Sequence, residues 1–138
     1  MDEFNLERFV SAQAPVYAAV QQELAAGYKR THWMWFIFPQ IAGLGFSAMS
    51  KRYAISGLDE ARAYLAHPAL GPRLKECISL AMNSGHAALD VFGPTDAQKL
   101  HSSLTLFASA GKDPLFIQAL EHFFGGEWDE ATLTQLET

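Results

Sequence analysis

Residues 29–45 read Lys-Arg-Thr-His-Trp-Met-Trp-Phe-Ile-Phe-Pro-Gln-Ile-Ala-Gly-Leu-Gly, and how this stretch folds decides the architecture. Trp33, Trp35, Phe36 and Phe38 carry large apolar surfaces, so the run belongs to a core and not to a solvated face. Periodicity cannot separate a short buried helix from a buried strand at this length. Thr31 is placed to cap a helix, and Pro39 pushes Phe38 out of the helical region. A short buried helix over 32–38 is therefore the expectation, with a strand as the alternative.

Outward from this run the period is helical. Upstream, Asn5 is placed to cap a helix with Leu6, Phe9 and Val10 on one face, and Pro15 restarts or kinks the chain. Tyr17, Val20 and Leu24 then recur at helical spacing until Gly27. Downstream, Gly43 and Gly45 make a tight loop, and Ser47 can cap a turn of helix reaching Ala54. Leu58, Ala61, Tyr64 and Leu65 mark a helix after Gly57. Leu70, Leu74, Cys77, Ile78 and Ala81 form a stripe that Gly85 ends. Thr95 and Gln98 have capping-box spacing before a helix stopped by Gly111. Asp113 followed by Pro114 is an N-cap with an N1 proline, and Asp129 can cap a last helix. No alternating strand pattern occurs in the second half. The expectation is one all-α domain over residues 1–138, of about seven to eight short helices.

The composition bounds the function. A 138-residue chain with 49% hydrophobic and 18% charged residues suits one domain with one core. A net charge of −5 argues against a sequence-independent nucleic-acid binder, so no nucleic-acid partner is expected. Cys77 is alone and can form no intrachain disulfide, which fits a reducing compartment. The chain opens without a basic leader or apolar segment, and the run after Thr31 stops at Pro39, far short of a bilayer span. A cytoplasmic protein with no membrane partner is the expectation.

Several motifs together resemble a known family. They are His-Trp-Met-Trp-Phe-Ile-Phe-Pro-Gln (32–40), Gly-Leu-Gly (43–45), Tyr-Ala-Ile (53–55), Glu-Ala-Arg-Ala-Tyr-Leu (60–65), His-Pro-Ala-Leu-Gly (67–71) and Lys-Leu-His-Ser-Ser-Leu-Thr-Leu-Phe (99–107). The chain resembles, over nearly its whole length, a bacterial family of unknown function whose members are often labelled calpastatin. The resemblance implies a small, mainly α-helical single domain and brings no catalytic residues. The label itself does not fit, because calpain inhibition of that kind belongs to long, polar, disordered chains.

The same segment carries the candidate chemistry. Lys29, Arg30 and His32 gather where a Thr31-capped helix would point its first N–H groups, a natural place for a phosphate or carboxylate. Trp33 and Trp35 would supply a stacking wall, and Gln40 would orient a ligand through its amide. Gly43, Gly45 and Ala48 approach the dinucleotide fingerprint, but no βαβ unit surrounds them; the loop amides can still join an anion nest, extended by Ser47 and Lys51. Arg73 and Lys99 are candidates to reach the same place from neighbouring helices. The expected ligand is a small anionic metabolite held by Lys29, Arg30, His32, Trp33, Trp35, Gln40, Gly43, Gly45 and Ser47, with no catalytic residue assigned. The alternative is a protein-interaction or homo-oligomerisation module using the aromatic run or the Phe123–Trp128 end.

Other constellations carry less. Ser102 and Ser103 follow Lys99 on a helix, where serines commonly bond back to the preceding turn, and Asp96 is spaced to pair with Lys99. The five histidines show no metal-ligand spacing and Cys77 has no partner, so neither metal nor cofactor is expected. His67, before Pro68, suits a capping role.

Overall fold

The computed structural model describes residues 2–137, and among these it contains nine helices and no strand. In chain order they are α1 Glu7–Gln13, α2 Tyr17–Ala26, α3 Met34–Ile37, α4 Ala48–Arg52, α5 Leu58–Ala66, α6 Leu70–Asn83, α7 Ala88–Ala110, α8 Pro114–Phe124 and α9 Glu130–Glu137. The domain is all-α, and the helical reading of the aromatic run holds over its centre. The count exceeds the expected seven to eight, and α3 and α4 are single turns of four and five residues.

Several helix ends form as their local chemistry dictates. Ser47 accepts from the Ser50 amide at 3.1 Å, and Asp113 accepts from that of Leu115 at 3.0 Å with Pro114 at N1. Asp129 accepts from the Thr132 amide at 3.2 Å, and His67 Nδ1 from that of Ala69 at 3.0 Å. Two expectations are corrected. Asn5 does not cap α1: it adopts φ 54°, and the Asp2 carboxylate takes the amides of Leu6 and Glu7. Thr31 does not cap α3, which starts only at Met34. The helix expected to open near Thr95 does begin there: the backbone leaves helical geometry at Gly93 (φ 78°, ψ 168°), so α7 is a short leading segment from Ala88 and a main helix that starts just after Gly93.

A four-residue helix has no stability of its own. What holds α3 is burial of every side chain but that of Trp35, which is partly exposed. Trp33, Met34, Phe36, Ile37 and Phe38 are buried, and filling a core with such a side chain stabilises by roughly 1.5–3 kcal/mol. The segment enters two aromatic groups at once. Trp33 and Phe38 meet Phe92 with ring centroids 6.4 and 5.9 Å away. Phe36 meets Tyr53, which continues through Phe9 and Tyr64 to Phe107. The buried Gln13 donates to the Phe36 carbonyl at 2.7 Å and to the Tyr64 hydroxyl at 3.1 Å, satisfying an oxygen that so short a helix leaves unpaired.

Around this wedge, α7 packs on α8 and α5, and α2 on α6. Helices α5 and α6 approach backbone to backbone: a Cβ on Gly71 would stand 2.1 Å from the Leu65 carbonyl oxygen. Beyond Pro39 the chain makes one parallel bridge, Ile41 to Ile55, in which Ala42 N donates to Ile55 O and Ile55 N to Gln40 O, both at 2.8 Å. Arg8 fixes the return of that loop. Its guanidinium donates to the carbonyls of Arg52 and Ala54 and pairs with Glu60 at 2.9 Å, while Glu60 accepts from both the amide and hydroxyl of Ser56.

Candidate functional site

At the place expected for a ligand, beside residues 30–33, a carboxylate of the protein already stands. Glu23, on the buried side of α2, accepts from Arg30 N at 2.6 Å, Thr31 N at 2.9 Å and Trp33 Nε1 at 3.1 Å through one oxygen, and from the Thr31 hydroxyl at 2.7 Å through the other. Burial acts to raise the carboxyl's pKa, but the four donors outweigh it and hold the group below its ordinary value. The nest is real, and its anion is internal.

The basic residues are similarly engaged. Lys29 Nζ stands 2.9 Å from Asp96, donates to the Thr31 carbonyl at 2.6 Å and lies 5.0 Å from the Trp33 ring centroid. Asp96 also pairs with Lys99 at 3.3 Å, and Lys99 lies 4.9 Å from the Trp35 ring. Each ammonium thus sits over an indole face while one carboxylate bridges the two, a favourable arrangement when partly desolvated. Glu23, Asp96, Lys29 and Lys99 together carry no net charge. The Lys99–Asp96 pairing matches its sequence spacing, and Lys99 does reach the tryptophans. Arg73 does not; it donates to Gln13 and lies over Tyr17. Arg30 and His32 have exposed side chains.

The glycine loop stands apart from this neutralised cluster. A cleft of about 140 Å³ is lined by Gln40, Gly43, Gly45, Ser50 and Lys51, with Ile41, Ala42 and Ala54 behind. The N–H groups of Gly43 and Gly45 donate no hydrogen bond among the described residues, and Lys51 forms no ion pair there. Glycine is required at both positions. Gly43 has φ 98° and a Cβ on it would stand 2.6 Å from Gln135 Oε1, while a Cβ on Gly45 would stand 2.5 Å from the Ser50 Cβ and Oγ. Ser47 lies just outside, donating its hydroxyl to Ser50 Oγ at 2.9 Å. The structure therefore separates the sequence candidates. Gln40, Gly43 and Gly45 line one cleft; Lys29, Trp33 and Trp35 belong to the internal cluster; Arg30 and His32 lie at the surface.

Nucleophiles elsewhere are disarmed. Ser102 donates to the Gln98 carbonyl and to Asp129, and burial pushes the Cys77 thiol up to about 12. Among the described residues, no three of His, Cys, Asp and Glu gather as metal ligands would, and no helix is long and apolar enough to cross a membrane. Phe123, Phe124 and Trp128 pack against the core, with His101 stacked on Phe124 at 4.2 Å. Sequence reasoning missed Glu23 and Gln13. A signal existed for the first: Glu23 lies three residues after Val20 and beside Leu24, on the stripe that α2 buries.

These features define a small all-α domain in which polar side chains clamp a buried indole wedge. The chain belongs to the family described as "Protein of unknown function (DUF1810)", whose model matches residues 3–136. Its fold is that of the crystal structure of the conserved hypothetical protein Rv1873 from Mycobacterium tuberculosis. The two share 51% identity with a TM-score of 0.96, covering 99% of each chain. Among curated proteins no relative matches.

Proposed function

We propose that this domain binds a small anion, a phosphate or a phosphoryl group, in the glycine-loop cleft. The supporting observation is that Gln40, Gly43, Gly45, Ser50 and Lys51 line one cleft, and that among the described residues the Gly43 and Gly45 amides donate no hydrogen bond and Lys51 forms no ion pair. Amides that the backbone cannot satisfy, beside a cation, make a favourable environment for a compact anion. This reading takes Gln40, Gly43 and Gly45 as ligand-facing and Ser47 as the support that orients Ser50. It gives Lys29, Trp33 and Trp35 the role of scaffold.

The test is a titration of the protein with inorganic phosphate, followed by amide chemical shifts. Shifts centred on Gly43 and Gly45, weakened about tenfold in Lys51→Ala, are expected for a charge-assisted contact of about 1.4 kcal/mol. Shifts elsewhere, or an affinity indifferent to Lys51, overturn the reading.

A second reading, self-association or partner binding, draws on Phe46, Leu89 and Tyr28, which are 85%, 63% and 59% exposed. Sedimentation over a hundredfold range of concentration, expected to show a constant monomer mass under the anion reading, separates the two.

A further inference from the structure

A larger hollow adjoins the cleft. It is a groove of about 610 Å³ between the chain before α1, the start of α5 and the end of α9, with Phe4, Leu58, Asp59, Arg62 and Leu136 among its walls. Cleft and groove share Ile41 and Ala42, so the two are neighbouring compartments along one backbone segment. Gln135, which lines the groove, also lies against Gly43 in the cleft.

The two compartments differ in chemistry. The cleft offers amides, a hydroxyl and a cation within a volume suited to one tetrahedral anion. The groove is more than four times larger and falls in the size range that holds a small organic ligand. Its walls combine apolar surface from Phe4, Ile41, Leu58 and Leu136 with the Asp59 carboxylate, whose side chain is 91% exposed and 3.7 Å from Arg62. An apolar wall beside polar groups of both signs, Asp59 and Arg62, suits a body carrying hydroxyl groups and a flat apolar face.

We infer that cleft and groove form one bipartite site for a phosphate monoester of a hydroxylated carbon skeleton, of the nucleoside monophosphate or sugar phosphate kind. The phosphoryl group occupies the Gly43–Lys51 cleft, and the organic part lies over Ile41 and Ala42 into the groove, its hydroxyls toward Asp59. This rests on the anion-binding reading above and adds the class of ligand.

Gly57 provides the means of testing it. Its φ is 169°, an extended conformation open to any residue, and a Cβ placed on it meets nothing within 4 Å. It lines the groove and not the cleft. Gly57→Phe therefore fills the groove while leaving the phosphate compartment intact. The measurement is the Kd for inorganic phosphate, ribose 5-phosphate and AMP in the parent protein, Gly57→Phe and Lys51→Ala, with amide shifts at Gly43, Gly45 and Gly57.

AMP is expected to bind at least tenfold tighter than phosphate and to shift Gly57 as well as Gly43. Gly57→Phe should return AMP to the affinity of phosphate, and Lys51→Ala should weaken both. Asp59→Ala, at an exposed position, repeats the test should Gly57→Phe not fold, and should cut the gain of either ester over phosphate. A gain shared equally by ribose 5-phosphate and AMP supports the site with the sugar as the recognised body. Phosphate binding at the cleft with no gain from either ester overturns the bipartite site and leaves the anion reading standing. No binding of any of the three overturns both.

Discussion

Residues 30–33 and residues 43–45 pose the same physical problem and meet it in opposite ways. Both are irregular backbone beside the aromatic wedge, and both present amide groups that no helix or sheet can satisfy. In the first, Glu23 reaches across from α2 and accepts from two amides, a hydroxyl and an indole N–H. In the second, the amides of Gly43 and Gly45 find no acceptor among the described residues, and Lys51 stands beside them without a counter-charge. A loop whose donors are filled from within is built to stay closed. One whose donors find no acceptor among the described residues is where we propose that an anion binds.

The sharpest way to break this comparison is to empty the filled loop. Glu23→Ala leaves the Arg30 and Thr31 amides and the Trp33 N–H without their acceptor. A loss of about 3 kcal/mol in urea unfolding is expected, since each buried donor left unsatisfied costs roughly 1–3 kcal/mol and water recovers part of it. A loss below 0.5 kcal/mol, on the scale of a neutral surface change of about that size, would mean the nest does not hold the wedge.

Titration sharpens the same contrast. Because the Glu23 carboxyl is held below its ordinary value of 4.5, the folded state binds its proton less readily than the unfolded state. Its contribution is complete above that ordinary value and disappears as pH falls through the lower, folded one. Glu23→Gln cannot titrate there. The stability gap between parent and Glu23→Gln should thus be constant near neutrality and close below pH 4.5, where urea midpoints measured down the acid range will show it.

The open loop is tested by closing it. Gly45→Ala places a Cβ 2.5 Å from Ser50 Cβ and Oγ, so Ser50 must shift from its present place in the cleft wall. Phosphate affinity should fall about tenfold, some 1.4 kcal/mol, with Tm lowered by a few degrees. An unchanged affinity in a folded Gly45→Ala protein removes the loop from the site.

The smallest effect concerns a polar group with neither solution. Ser103 Oγ is, among the described residues, the one buried side-chain oxygen or nitrogen without a hydrogen-bond partner. Ser103→Ala should stabilise the fold by about 1 kcal/mol, because it removes a buried hydroxyl without leaving a partner unpaired. A destabilisation in thermal melts contradicts this.

What the sequence disclosed follows from how local each determinant is. Ser47, Asp113 and Asp129 act on amides two or three residues away, so their roles are written in adjacent letters. The helical reading of the aromatic run rests on Pro39 and on burial, which are also local properties. Thr31 misled because its hydroxyl is turned to Glu23, eight residues earlier and on another helix, while α3 starts only at Met34. Asn5 misled for a similar reason, since Asp2 reaches forward to the same helix start. The wedge's remaining ties, Gln13 to Phe36 and Lys29 to Asp96, span 23 and 67 residues, and no periodicity encodes them. The groove is less legible still, for its walls come from Phe4, Leu58 and Leu136, which meet only after the chain has folded.

The parallel bridge between Ile41 and Ile55 has a further consequence. A lone rung of two hydrogen bonds, with no sheet on either side, is a weak fastener that either neighbour can loosen. Gly43 lies two residues beyond one half and Gly57 two beyond the other, so this clasp is the backbone tie between the two loops. The exchange rates of the Ala42 and Ile55 amide protons therefore serve as a gauge of how tightly the two loops are latched, readable without any ligand in hand.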